Sequence, residues 1–243
     1  MAGATETLVL ADAESLARHA AGLVTGILAA TPGRAAVALA GGSTPKRLYE
    51  LLATAEFRER LPWDRVHWFW GDERFVPPDD AESNYRMARL AMLEAVPAPA
   101  DHIHPVPFAG LTPEQAAAAY QAALQRCYGA AELDPARPLF DLVLLGLGED
   151  GHTASLFPAT PALQERRAWV ASVLGAKPEP RVTLTYPALE SARHVVFLVA
   201  GAGKRAVLQR LQRGEDLPAA HVRPSGTLHW LIDRAADPAG DPA

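Results

Sequence analysis

The chain has 243 residues, of which 49% are hydrophobic and 21% are charged, and this composition supplies enough apolar material for a folded core. The formal net charge of -5 argues against a general nucleic-acid binder, although a local pocket can still be positive and accept a small anion. The N-terminus lacks the pattern of a signal peptide, and no stretch approaches the ~20 apolar residues that span a bilayer. We therefore expect a cytoplasmic protein without membrane contacts.

Predicted helices and strands alternate along the chain. Apolar residues at helical spacing predict a helix over 12–30 with Asp12 as its cap, and the apolar run at 35–40 predicts a buried strand. Ser83 is expected to cap a later helix, and the segment that begins at Thr112 has the pattern of a capping box. Further β-branched, aromatic or apolar runs predict strands at 66–70, 140–145, 169–174, 181–186, 194–199 and 227–232.

This alternation of short apolar strands and helices predicts one α/β domain over residues 1–243. Its sheet should be mostly parallel, with helices on both faces. The strands at 169–174 and 181–186 are separated by six residues, so we expect a short antiparallel edge there. Residues 237–243 contain Pro, Gly, Ala and Asp, and they are expected to form a disordered tail.

The segment after the strand at 35–40 has features of a phosphate site. Gly41 and Gly42 precede a helix for which we expect Ser43 or Thr44 as the N-cap and Pro45 at the first helical position. Free backbone N–H groups, two hydroxyls and a helix N-terminus at a strand end suit a phosphate. An ordinary capped turn would need the same caps, but the consecutive glycines favour a binding site.

A second candidate for anion binding is Lys204, in the segment GAGKRAVLQRLQ that begins another predicted helix. The segment does not match a P-loop, because Leu198 and Arg205 occupy positions that require Gly and Ser or Thr. A lysine in the first turn opposes the helix dipole, so a role toward an anion explains it better than a structural role does. A solvated lysine remains the alternative.

The loop GLGEDGH at residues 146–152 follows a predicted strand at what should be its carboxyl end. Its glycine spacing matches the dinucleotide-binding pattern, but Glu149 and Asp150 would repel a pyrophosphate. Asp150 and His152 instead form a titratable pair where ligands bind to such sheets, and histidine is suited to move protons near neutral pH. We therefore predict a catalytic loop and no NAD or other nucleotide cofactor.

His102 and His104 could lie on one side of a strand and there act as two ligands of a metal ion. Neither a cysteine nor a third histidine lies near them in the sequence, and prolines surround them, so we predict no metal. The single cysteine, Cys127, lies in an Ala-rich helical stretch, and we interpret it as a half-buried helix residue.

Taken together, several segments resemble the 6-phosphogluconolactonase family, within the glucosamine-6-phosphate isomerase/6-phosphogluconolactonase superfamily. The likeness runs over about residues 8 to 236. The segments that carry it are GGSTPKRLYELL, FWGDERFVPPDDAESNYRMAR, LLGLGEDGHTASLFP, RVTLTYPAL, VVFLVAGAGKRAVL and VRPSGTLHWLIDRAA. The resemblance implies a fold related to the Rossmann type and hydrolysis of 6-phospho-D-glucono-1,5-lactone in the oxidative pentose phosphate pathway. It implies neither a metal nor a nucleotide.

In this family the histidine of the GEDGH loop, His152 here, is the proposed general base. We expect Asp150 to orient His152, and Arg74 or the N–H groups of Gly41 and Gly42 to stabilise the developing oxyanion. The sequence does not decide whether Arg74 or Arg181 faces the phosphate. The expected substrate- and phosphate-binding residues are Gly41, Gly42, Ser43, Thr44, Asp72, Arg181 and Lys204. The expected partner is a small sugar-phosphate lactone, bound by a monomer or a weak homo-oligomer.

The sequence leaves two alternative functions, a deaminase and a sugar-phosphate sensor. The related glucosamine-6-phosphate deaminases share the fold and a GxDGH loop. They typically have an Asn-Glu-Pro sequence where this chain has Ser155 to Pro158, and Asp-Glu-Tyr where it has Asp72 to Arg74. Both departures favour the lactonase. A sugar-phosphate sensor that has lost catalysis is less consistent with the intact pair of Asp150 and His152.

Overall fold

The structure is a computed structural model that describes residues 3–240. Within this range, six strands form one sheet and three further strands form a second, smaller sheet. In chain order the strands are β1 (Thr5–Leu10), β2 (Ala35–Leu39), β3 (Val66–Trp70), β4 (Asp72–Arg74), β5 (Phe140–Leu145), β6 (Val170–Val173), β7 (Arg181–Leu184), β8 (Ala192–Val199) and β9 (Thr227–Asp233).

Helices connect most of these strands. None of the described helices is long and apolar enough to cross a membrane. Their bounds are α1 (Ala13–Ala30), α2 (Ser43–Leu52), α3 (Ala55–Arg58), α4 (Asn84–Ala91), α5 (Pro113–Tyr128), α6 (Tyr186–Glu190) and α7 (Arg205–Gln212), and short 3-10 turns lie between them.

The large sheet has the order β1-β9-β8-β5-β2-β3, and its neighbouring strands all run parallel. The small sheet, β4-β7-β6, is antiparallel and begins directly after β3. These observations confirm the predicted α/β class with a mostly parallel sheet. The antiparallel pair expected from the sequence exists, but β4 extends it to three strands.

Both faces of the large sheet are buried, as the unbroken apolar strands predict. Successive side chains of β3 point to opposite faces, so Trp68 and Trp70 pack in one core with the helices α1 and α2. Phe69 belongs to the other core, with α5 and the small sheet. The sheet therefore holds its loops rigidly from both sides.

The structure confirms most of the helix caps predicted from the sequence. Asp12 accepts a hydrogen bond from the Ser15 backbone N–H, Ser83 caps α4, and Thr112 forms a complete capping box with Gln115. The prediction for α2 was wrong, because Gly42 is its N-cap. Gly42 has a φ of 103°, a conformation that glycine reaches without a steric penalty. The helix therefore begins at Ser43, two residues before the predicted start, and Pro45 is its third residue.

Both ends of the described chain add to what the sequence predicted. Strand β1 was not predicted, since it is an edge strand whose residues are largely exposed and show no alternation. At the other end, residues 237–240 form a turn in which Arg205 donates a hydrogen bond to the Gly240 carbonyl. Residues 241–243, the remainder of the predicted tail, lie outside the described part of the chain.

Candidate active site

A cavity of about 220 Å³ opens at the carboxyl ends of β2, β3 and β5. Ligands bind at this edge of open parallel sheets, because loops with free backbone groups converge there. Glycines form much of its wall, and its polar side chains are Asp72, Arg74, Asn84, His152 and Lys204. The cavity thus brings together the three segments singled out in the sequence, through Gly41 and Gly42, His152 and Lys204, with Asp72 and Arg74.

His152 and Asp150 form a close pair in the loop after β5. Nδ1 of His152 lies 2.5 Å from Oδ1 of Asp150, which also accepts a hydrogen bond of 3.1 Å from the His152 backbone N–H. Burial alone would raise the pKa of Asp150, but the hydrogen bonds from the backbone and ring of His152 outweigh it and hold the pKa below its usual value. The carboxylate is therefore charged and orients the imidazole.

The glycines of this loop make room for the pair. A Cβ on Gly148 would lie 2.0 Å from Nδ1 of His152, far closer than any side chain can approach. Gly151 has a φ of 87°, and the loop closes through a hydrogen bond of 2.8 Å from the Gly148 N–H to the His152 carbonyl. On its other side the ring of His152 lies 4.5 Å from that of Phe157, which limits its movement.

The opposite wall of the cavity is held by Asp72. Its carboxylate accepts a hydrogen bond of 2.6 Å from the Ser155 hydroxyl, and its backbone carbonyl accepts one of 2.9 Å from the Asn84 side-chain amide. Gly41 lies so close to Asn84 that a Cβ would come within 2.1 Å of its Oδ1. The sequence analysis assigned no site role to Asn84 or Ser155, although both lie in segments that carry the family resemblance.

Glu73 organises the loop that carries Arg74 and Asn84. Its side chain is buried, and its two oxygens accept hydrogen bonds from the backbone N–H groups of Arg74, Asn84 and Tyr85 and from the Ser83 hydroxyl. Burial raises the pKa of Glu73 to about 7 despite these donors. This role was missed because the four donors become neighbours only when β4 and α4 come together.

Two cations face the cavity in different ways. Arg74 donates hydrogen bonds to the backbone carbonyl and the carboxylate of Glu82, which fix its direction. Lys204 lies at the end of a 3-10 turn, directly before α7, and no carboxylate of residues 3–240 lies within 4.0 Å of its ammonium. Lys204 is thus available for an anionic ligand.

Other predicted binding residues lie beside the cavity rather than in its lining. Arg181 is buried in β7 and donates to the carbonyl and carboxylate of Glu179. Ser43 and Thr44 occupy the first turn of α2, next to the lining residue Gly42. Arg74 and Lys204 therefore line the cavity, whereas Ser43, Thr44 and Arg181 lie outside its lining.

Comparison with known proteins gives consistent matches over most of the chain. A family model described as glucosamine-6-phosphate isomerases/6-phosphogluconolactonase matches residues 11–230. A curated 6-phosphogluconolactonase from Synechocystis sp. is 47% identical over 211 residues, which cover 84% of this chain and 84% of the relative.

Solved structures match equally broadly. A 6-phosphogluconolactonase from Trypanosoma cruzi is 31% identical, with a TM-score of 0.82 over 97% of both chains. A monomeric glucosamine-6-phosphate deaminase has a TM-score of 0.79 over 95% of this chain and 98% of its own, but it is only 21% identical. That last likeness shows a shared fold and nothing finer.

Proposed function

This chain belongs to the family of glucosamine-6-phosphate isomerases and 6-phosphogluconolactonases, and we propose that it hydrolyses 6-phospho-D-glucono-1,5-lactone to 6-phospho-D-gluconate. The reaction is a step of the oxidative pentose phosphate pathway. The observation that carries the proposal is the oriented pair of His152 and Asp150, in one cavity with Arg74 and Lys204.

His152 serves as the general base. Because the Asp150 carboxylate is ionised and can only accept, we assign the ring proton to Nδ1, which leaves the lone pair on Nε2. Nε2 takes a proton from water as the water oxygen adds to the lactone carbonyl. It returns that proton to the ring oxygen as the carbon–oxygen bond breaks, and the new carboxylic acid ionises in solution. A base in this position contributes ~10²–10⁴ in rate.

Negative charge develops on the carbonyl oxygen when water adds. Arg74 lines the cavity with its guanidinium fixed by Glu82, and the backbone N–H groups of Gly41 and Gly42 lie on the same rim. We assign oxyanion stabilisation to these donors, each of which is worth roughly 10²–10³ in rate where it is well aligned.

The substrate phosphate lies at the other end of the bound lactone. Lys204 carries the charge that binds it, since no described carboxylate pairs with this lysine. The first turn of α2, with Ser43 and Thr44, adds backbone N–H groups and hydroxyls. Arg181, whose guanidinium also donates to Glu179, is a further candidate for binding this phosphate. This binding energy fixes the lactone against His152.

Three assays on one preparation test the proposal. The purified protein is offered fresh phosphogluconolactone, glucosamine 6-phosphate and, as a binding ligand, 6-phosphogluconate. We expect lactone hydrolysis well above the spontaneous rate and no ammonia from the amino sugar. Ammonia release would favour the deaminase alternative, and binding of 6-phosphogluconate without any turnover would favour a sensor.

A cytoplasmic location and a monomeric or weakly self-associating state belong to the same proposal. Cell fractionation and light scattering of the purified protein test them.

A further inference from the structure

A second group of reactive side chains lies at the end of the large sheet opposite the cavity. It consists of His67 near the start of β3, His104 after a 3-10 turn and Cys127 in the last turn of α5. The ligand atoms of the three side chains all lie within 4.8 Å of one another. Asp72 is five residues further along the chain from His67, about 17 Å for an extended strand. The group, which we call the His-His-Cys cluster, is therefore separate from the candidate active site.

The sequence argument against a metal at His104 was that no cysteine or third histidine lies near it. The fold removes that argument, because β3 and α5 bring His67 and Cys127 to it. Nδ1 of His67 and Nε2 of His104 are 2.9 Å apart. All three residues are only half-buried, so solvent ions can reach them.

The two imidazole rings are held in place by their surroundings. The ring of His104 stacks on Phe69 at 4.5 Å, and its backbone N–H donates to the Trp68 carbonyl at 2.9 Å. The ring of His67 stacks on that of His102 at 4.0 Å. Nδ1 of His102 is itself buried and has no hydrogen-bond partner among the described residues. Fixed rings lose little freedom when they bind an ion.

The donor atoms of the cluster suit a transition metal, since two imidazole nitrogens and one sulfur are ligand types that zinc prefers. Burial lowers the pKa of His67 to about 4 and also lowers the pKa of His104. Burial raises the pKa of Cys127, which is therefore a thiol until a metal displaces its proton. The charged groups around the cluster are Arg34, Arg126 and Asp101.

We propose that His67, His104 and Cys127 bind a divalent transition-metal ion, with zinc as the best match. Zinc takes imidazole nitrogens at about 2.0–2.1 Å and thiolate sulfur at about 2.3 Å in tetrahedral geometry, which sets its ligands about 3.3–3.6 Å apart. The cluster needs only sub-ångström to ångström adjustments to reach these spacings. Water completes the fourth position.

Zinc binding is balanced by the release of one proton. The hydrogen between the two imidazoles moves to the outer nitrogen of its own ring as that ring changes tautomer, and the Cys127 thiol loses its proton to solvent. The bound ion ties the start of β3, the connection after the 3-10 turn and the end of α5 together. Affinity should consequently rise with pH, and the metal should stabilise the fold without entering lactone hydrolysis.

Cobalt(II) titration under a non-thiol reductant tests the site directly. Cys127 is the only cysteine in the chain, so a near-ultraviolet thiolate-to-cobalt charge-transfer band can arise only here. We expect the band to saturate at one equivalent, to show tetrahedral d–d absorption and to disappear when zinc is added.

Variants assign the ligands. Cys127→Ser should abolish the band and weaken zinc binding by more than about tenfold, and His104→Asn should do the same to affinity. His19→Asn removes an exposed histidine from α1 and should change neither. A wild-type protein with no band at one equivalent, or a folded Cys127→Ser protein that binds zinc unchanged, overturns the proposal. These experiments measure metal binding and not enzyme turnover, so a negative result for the metal site would leave the proposed lactone hydrolysis untouched.

Discussion

The two ends of the parallel sheet each carry a hydrogen-bonded histidine, and the partners of these histidines differ. At the carboxyl end His152 faces a charged carboxylate, Asp150, across 2.5 Å. At the amino end His67 faces a neutral imidazole, His104, across 2.9 Å. A carboxylate orients the ring and stabilises the cation that forms when the ring takes a proton. A second imidazole in a half-buried site disfavours that cation. The same residue type is thereby suited to proton transfer at one end and to metal ligation at the other.

The largest expected effect comes from His152→Gln, which removes the proposed base. The rate above background should fall by ~10²–10⁴ while the melting temperature and 6-phosphogluconate affinity stay nearly unchanged. Turnover, product binding and thermal melting of both proteins measure this. His104→Asn is the matched control from the amino end and should retain turnover. Near-normal turnover of a folded His152→Gln protein would remove this residue from the mechanism.

Gly148→Ala tests orientation without removing either member of the pair. The new Cβ would lie 2.0 Å from Nδ1 of His152 and 2.7 Å from Oδ1 of Asp150, so both side chains must shift and their hydrogen bond is disturbed. A displacement of about 1 Å can cost ~10² in rate, and we expect a loss of that order. Gly26→Ala in α1 is the control, because no atom lies within 4 Å of its added Cβ and Gly26 does not line the cavity. Equal losses in the two variants would show that the loss does not come from the pair of His152 and Asp150.

Lys204→Ala should weaken binding of the phosphorylated substrate by about 10- to 100-fold, which appears mostly as a higher KM. The reason is the loss of a charge-assisted interaction worth ~1.5–3 kcal/mol. Hydrolysis of unphosphorylated gluconolactone should scarcely change. Steady-state kinetics on both lactones distinguish a phosphate-binding role from a role in catalysis or folding. Equal losses on both lactones would assign Lys204 to catalysis or to the fold.

The smallest expected effect is on the stability of the protein in acid, and it comes from His67 at the amino end of the large sheet. Burial lowers the pKa of His67 in the folded protein to about 4, from about 6.5 for an unperturbed histidine, so the unfolded state binds the proton more readily. The neutral ring of His67 therefore contributes fully to the free energy of unfolding above pH 6.5, and this contribution is lost as the pH falls toward 4. Allowing for the partial exposure of the ring, we expect about 1 kcal/mol. Urea unfolding at pH 7 and 4.5, with a chelator present, should show a smaller pH difference for His67→Phe than for wild type. An equal difference would contradict the assignment.

The features predicted correctly from sequence depend on neighbours within a few residues. Asp12, Ser83 and Thr112 cap helices through bonds to backbone groups three residues away, and the apolar strands are continuous runs. Asp150 and His152 are two residues apart, and their expected pairing appears as a hydrogen bond for the same reason. Local pattern failed at Gly42, where a positive φ moved the start of α2, and at the exposed strand β1, where burial supplies no pattern.

The contacts that sequence could not supply join segments distant along the chain. The Asn84 side chain occupies the space left open by Gly41, and the Ser155 hydroxyl reaches the Asp72 carboxylate. The pairing of His104 with Cys127 required the packing of α5 on the sheet. Each contact depends on the register of strands and helices in three dimensions, which no single stretch of residues encodes.

The environment of Glu73 restricts which residues can replace it. All four of its hydrogen-bond partners are donors, and the Ser83 hydroxyl also accepts from the Arg86 backbone N–H, so it turns its hydrogen toward Glu73. A glutamine of the same shape would direct an amide N–H at a backbone N–H, and an aspartate would be too short to reach both segments. A library of variants selected only for soluble expression should therefore retain glutamate here. The positions of the cavity that touch only the ligand should vary freely under the same selection.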